Sequence, residues 1–160
     1  MIDSHAHLTD ARFAGEVEGV LERARDAGVE AVVSIATEPE TARAALALAE
    51  RFPNVYATAG IHPHSVGEAT EASYAAVREL LGHPRVVAVG EVGMDFHYDF
   101  APAHVQRAAL LRQMEIAREM DLPLIVHARE ADEALTAILR EAGPGTRGVL
   151  HSFSSGRELL

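Results

Sequence analysis

Cysteine is absent from the 160-residue sequence, so neither a disulfide framework nor a thiolate zinc site can form. Any metal must sit on imidazole and carboxylate. Basic residues are scarce, with 14 Lys and Arg against 24 Asp and Glu and a net charge of −10. That balance excludes a protein held on nucleic acid by a broad basic surface. It leaves room for a strand or chain end captured locally by a metal and a few cations. No apolar run approaches the roughly 20 residues that span a bilayer, and no charged-then-apolar leader opens the chain. The expectation is a cytoplasmic protein with no membrane partner. The turn after the first apolar run lacks a glycine-rich phosphate loop, which argues against a dinucleotide-binding open sheet. Linkers, low-complexity tracts and internal repeats are missing too, and the length suits one domain over residues 1–160.

Two textures alternate along the chain. Runs rich in Val, Ile and Ala predict strands at about 1–5, 31–36, 55–60, 86–91, 124–127 and 148–151, nearly continuous in apolar character as parallel strands buried on both faces are. Between them, helical spacing predicts helices at about 14–27, 38–51, 71–81, 103–120 and 130–141. Gly28 and Gly143 stand where helices end, and Pro39 and Pro102 where they start. Leu110, Leu111, Met114 and Ala117 form an apolar stripe for packing on a sheet. The fold class is therefore α/β with a parallel sheet. Potential ligands ending several strands favour a (β/α)₈ barrel, whose site gathers at the carboxyl ends of its strands. Such a barrel takes about 250 residues. The 160 residues supply about six of eight βα units, with a further helix starting near 156–160. The expectation is a C-terminally truncated barrel whose open edges invite self-association.

Six of the nine histidines fall at or just beyond strand ends: His5, His7, His62, His64, His127 and His151. His5 and His7 are two apart and point to one side, as a bidentate grip requires. Strict alternation places Glu91 on the face of Val89, His127 with Ile125 and Arg129, and His151 with Val149. Imidazole with carboxylate suits zinc, manganese or similar divalent ions.

These residues lie in five motifs: Ile2-Asp3-Ser4-His5-Ala6-His7-Leu8, Gly60-Ile61-His62-Pro63-His64, Gly90-Glu91-Val92-Gly93-Met94-Asp95, Pro123-Leu124-Ile125-Val126-His127-Ala128-Arg129 and His151-Ser152-Phe153-Ser154-Ser155-Gly156. In type and order the sequence resembles the TatD family of metal-dependent hydrolases, within the amidohydrolase-like barrels. The resemblance implies a TIM-type barrel and metal-dependent phosphodiester cleavage of DNA, often from the 3′ end. It implies two divalent ions (Mg²⁺, Mn²⁺ or Zn²⁺), one held by His5, His7 and Glu91, the other by Glu91, His127 and His151. Glu91, as the bridging carboxylate, is the residue assigned a catalytic role. An aspartate after an eighth strand is also implied, and the 160 residues contain no matching motif.

Arg129 and His62 are the expected substrate-binding pair, because a phosphate needs directional donors and Arg offers a planar fork. Asp95 either orients a ligand or caps the following segment. His64 is expected to face solvent, and His83, His97 and His104 read as surface residues. Three functions fit: a deoxyribonuclease acting on single-stranded DNA or 3′ ends, an amide or ester hydrolase such as a D-aminoacyl-tRNA deacylase, or an incomplete module acting only through association.

Overall fold

Each apolar run becomes one strand and each helical stretch one helix. The computed structural model describes residues 1–143, 145–154 and 156–157. Among these the strands are β1 (Ile2–Ala6), β2 (Ala31–Ser34), β3 (Val55–Ala59), β4 (Val86–Asp95), β5 (Leu124–Arg129) and β6 (Gly148–Leu150). They alternate with α1 (Val17–Asp26), α2 (Pro39–Arg51), α3 (Glu71–Leu81), α4 (Ala103–Glu119) and α5 (Asp132–Ala142). A short 3₁₀ turn at Ala11–Phe13, capped by Asp10, precedes α1 and accounts for its later start. The helix expected near 156–160 lies largely outside the described residues.

All neighbouring strands pair in parallel in the order β1-β2-β3-β4-β5-β6. In a flat sheet the outermost of six strands would stand about 24 Å apart. Instead the rings of His5 and His151, at the ends of β1 and β6, stack with centroids 3.4 Å apart. The sheet is curled into an open half-barrel, as the barrel expectation requires.

Two apolar layers follow from the curl. Outside, strand residues such as Val32, Val89 and Val126 pack under helix residues such as Leu21, Ala45, Val77, Leu110 and Leu135. Inside, a small layer of Ile35, Ala88 and Ile125, with Val33 against it, contains residues of the strands and their ends and none from the helices. The outer layer is where stability comes from, since each fully buried large aliphatic side chain contributes roughly 1.5–3 kcal/mol. The outermost strands are less covered, with Ile2 64% and Val149 52% exposed. No helix among the described residues is long and apolar enough to cross a membrane.

Candidate metal centre

The carboxyl ends of the strands meet at one rim, and Glu91 stands at its middle with a side chain only 4% exposed. Its two oxygens divide the surrounding imidazoles. Oε2 lies 3.4 Å from His5 Nε2 and 3.8 Å from His7 Nε2. Oε1 lies 2.8 Å from His127 Nδ1, 3.7 Å from His62 Nε2 and 4.0 Å from His151 Nε2. His5, His7, Glu91, His127 and His151 are thus brought together, with His62 beside them. The two nitrogens His5 Nε2 and His7 Nε2 are 3.3 Å apart, so the His-x-His pair does converge.

A bulge puts Glu91 there. Between Val89 and Val92, β4 advances three residues while β5 advances two, from Leu124 to Val126. The extra residue reverses the inward–outward alternation. Ala88 packs in the interior layer, whereas Val89 and Val92 pack under the helices. Glu91 therefore does not share the face of Val89, as strict alternation predicts; it turns inward with His127. Gly93 completes the arrangement. Its φ is +147°, and a Cβ there would sit 2.0 Å from the carbonyl oxygen of His127. Only glycine lets β4 and β5 close at the point where Glu91 and His127 meet.

Asp95 ends β4 and is 1% exposed. Its Oδ2 lies 2.7 Å from His64 Nε2 and 3.0 Å from His127 Nε2. Its Oδ1 accepts from the backbone N–H groups of His97 and Tyr98 at 3.0 and 3.1 Å. Asp95 both caps the following segment and fixes two imidazoles. His64 does not face solvent as expected: it is half-buried, because the carboxylate 31 residues away draws its ring inward.

Two buried glutamines of α4 hold the backbone on either side of this cluster. The Gln106 amide accepts from the Asp95 N–H at 2.8 Å and donates to the Asp95 carbonyl at 2.9 Å. Gln113 does the same for Ile61, the neighbour of His62, at 2.7 and 3.0 Å. Sequence reasoning missed both. Their signal is a pair of amides seven apart, bordering the apolar stripe of α4, a turn spacing that puts them on one face.

Arg129 stands apart from the Glu91 contacts. It is exposed, with its guanidinium carbon 4.9 Å over the ring of Tyr98. His97 and His104 are exposed, and His83 lies 3.6 Å from Glu50, away from this rim.

The electrostatics suit a cation. Burial disfavours the charged carboxylate of Glu91, but the hydrogen bond from His127 and the adjacent imidazoles of His5 and His62 outweigh that and hold its pKa far below the usual range. Asp95 is likewise pushed down to about 2, burial being outweighed by His64, the Tyr98 N–H and His127. Burial lowers the pKa of His62 and of His151, keeping both imidazoles neutral. His127 goes the other way: burial opposes its charge, but the two carboxylates on either side raise its pKa. A proton on His127 occupies the place where positive charge is wanted.

Two groups of donors could hold a metal: His5, Glu91 and His151, and His62, His64 and His127, each with ligand atoms within 4.8 Å of one another. The buried Nδ1 of His5, the ring nitrogen other than the one facing Glu91, has no hydrogen-bond partner among the described residues. A donor set of nitrogen and carboxylate oxygen, lacking thiolate, fits a divalent ion of the zinc or manganese type.

The comparisons agree with this geometry. A profile of the family described as TatD related DNase matches residues 2–160. The chain is 35% identical over 160 residues to the uncharacterized metal-dependent hydrolase YabD of Bacillus subtilis, covering 99% of this chain and 63% of that protein. It is 35% identical over 163 residues to the 3′-5′ ssDNA/RNA exonuclease TatD of Salmonella typhimurium, covering 100% of this chain and 62% of that one. The crystal structure of YjjV, a TatD homolog from Escherichia coli K12, superimposes with a TM-score of 0.93 at 34% identity, covering 99% of this chain and 62% of that chain. The chain spans a little over three-fifths of the length of the relatives it matches.

Proposed function

Because the chain belongs to the TatD-related DNase family, we propose that it carries the metal-holding part of a hydrolase that cleaves phosphodiester bonds of single-stranded DNA from the 3′ end. The observation that carries this reading is the division of imidazoles between the two oxygens of Glu91, the pattern a bridging carboxylate needs. His5 and His7 with Oε2 would hold one divalent ion, and His127 and His151 with Oε1 a second. When bound, such ions make hydroxide available at neutral pH and neutralise phosphate oxygens.

The chain's own groups do the rest. Glu91 stays ionised and keeps both oxygens aimed inward. Asp95 bonds the second nitrogen of His127, fixing its ring plane and raising its basicity, as carboxylates behind metal-binding histidines do. His62, buried and neutral, stands 3.7 Å from Glu91 and can donate an N–H to a phosphate oxygen at the centre. Arg129 offers its fork from the rim for a phosphate further along the strand. These two donors favour phosphate over an acyl group.

Titration calorimetry with Mn²⁺ and Zn²⁺, paired with hydrolysis of a labelled single-stranded oligonucleotide, tests the reading. Glu91→Gln is expected to weaken metal binding beyond the roughly 10–100-fold typical of outer partners and to abolish hydrolysis. Unchanged metal affinity in the folded variant would sink the assignment.

A further inference from the structure

We propose that the exposed rings of Tyr98 and Phe100 form a stacking platform for the terminal nucleobase of a single-stranded nucleic acid. The inference rests on the nucleic-acid substrate of the proposed function and adds where the base goes. The chain has five Phe and three Tyr in all, and three of these eight fall at Phe96, Tyr98 and Phe100, directly after β4. All three are open to solvent, at 40%, 43% and 61%. Isolated exposed rings are ordinary, but three in one short segment at the edge of a ligand cluster mark a binding surface.

The segment is tied to the candidate centre. Asp95 Oδ1 accepts from the N–H groups of His97 and Tyr98, so the rings are positioned by the same carboxylate that holds His127. The Phe100 ring lies 4.5 Å from the ring of His64, which in turn bonds Asp95. Tyr98 and Phe100 are 5.7 Å apart and inclined at 49°, and Arg129 lies over Tyr98. Rings flanked by a guanidinium are what a base stacks on, whatever its sequence. A cleft of about 670 Å³, within the range of small-molecule sites, continues from Phe96 and Arg129 between Glu130 and Glu133. A phosphate held at the His127 side of the cluster would leave its base toward Asp95 and His64, against which Phe100 stands.

The test is binding, independent of turnover. A short oligodeoxynucleotide with a hydrolysis-resistant phosphorothioate 3′ linkage carries 2-aminopurine at its 3′ end and is titrated with the full chain in Mn²⁺. A matched oligonucleotide ends in an abasic site. Stacking quenches the 2-aminopurine, and Tyr98→Ala and Phe100→Ala should each weaken the base-bearing end about tenfold, within the usual value of one aromatic–base stack. Binding of the abasic end should be weaker in the parent and unmoved by either substitution. Tyr98→Trp should restore affinity, whereas Phe100→Leu, which keeps apolar bulk without a ring, should not. Equal losses for base-bearing and abasic ends would overturn the platform, as would parent-like binding by Phe100→Leu. So would substitutions that abolish self-association and leave oligonucleotide binding intact, because the rings would then be covered by a second copy. Base-dependent binding without any hydrolysis of an unmodified strand would count against the catalytic reading alone and leave the platform standing.

Discussion

The central strand β4 and the outer strand β6 do opposite work in one sheet. β4 runs ten residues, is buried almost throughout, and bends at a bulge to aim Glu91 and Asp95 at the interior. β6 runs three residues, is half open to solvent, and leads into His151. Carboxylates, whose burial is costly, are held by the rigid middle of the sheet, where surrounding donors keep them ionised. Imidazoles, which tolerate either environment, arrive from the centre and from the edges alike. The site is as firm as its carboxylates and as adjustable as its histidines.

Four measurements would break or sharpen that contrast. Gly93→Ala should be the most damaging, because its Cβ meets the His127 carbonyl at 2.0 Å with both partners in paired strands. A loss of roughly 4 kcal/mol or more is expected in urea unfolding, combining overpacking with a forced backbone angle. The same change at Gly148 of β6 also crowds a backbone oxygen, Leu124 O at 2.8 Å, but a short edge strand can shift. A comparable loss at both sites would erase the distinction between middle and edge. Next, Leu110→Ala beneath the middle strands should cost about 2–5 kcal/mol, against about 0.5 kcal/mol or less for Val149→Ala on the edge. Asp95→Asn should leave the fold in place by circular dichroism and weaken Mn²⁺ binding about 10–100-fold, a change calorimetry resolves. Smallest of all, Glu71→Ala removes a two-point contact with Arg112 at 2.5 and 2.6 Å on the exposed helical face. Its thermal unfolding midpoint should scarcely move, since exposed ion pairs contribute little.

The elements were readable because buried parallel strands are unbroken apolar runs and the helices between them carry clear ends at Gly143 and Pro39. The histidines were readable for a related reason: a polar residue closing an apolar run has one place to go, the rim. What escaped were effects of tertiary pairing. β4 continues to Asp95, but Glu91 and Gly93 interrupt the apolar run, so the strand reads as ending at Glu91. The bulge at Gly90 and Glu91 cancels simple alternation and moves Glu91 off the face of Val89. His64 reads as a loop residue beside Pro63, because its partner Asp95 comes from another strand. Gln106 and Gln113 look like ordinary polar helix residues, and their use becomes visible only when the sheet presents the backbone of Asp95 and Ile61 to them.

The stacked pair His5 and His151 closes a loop of almost the entire chain. A pair of ions joined through Glu91, one held from His5 and the other from His151, would act as a cross-link between β1 and β6. Only the folded chain brings those strands together, so an ion there binds the folded state and not the unfolded one. Metal affinity and conformational stability would then be one quantity measured two ways. At a free-ion concentration a hundred times the dissociation constant, unfolding becomes harder by about 2.7 kcal/mol. A chelator would loosen not only the chemistry of this rim but the curl of the sheet itself.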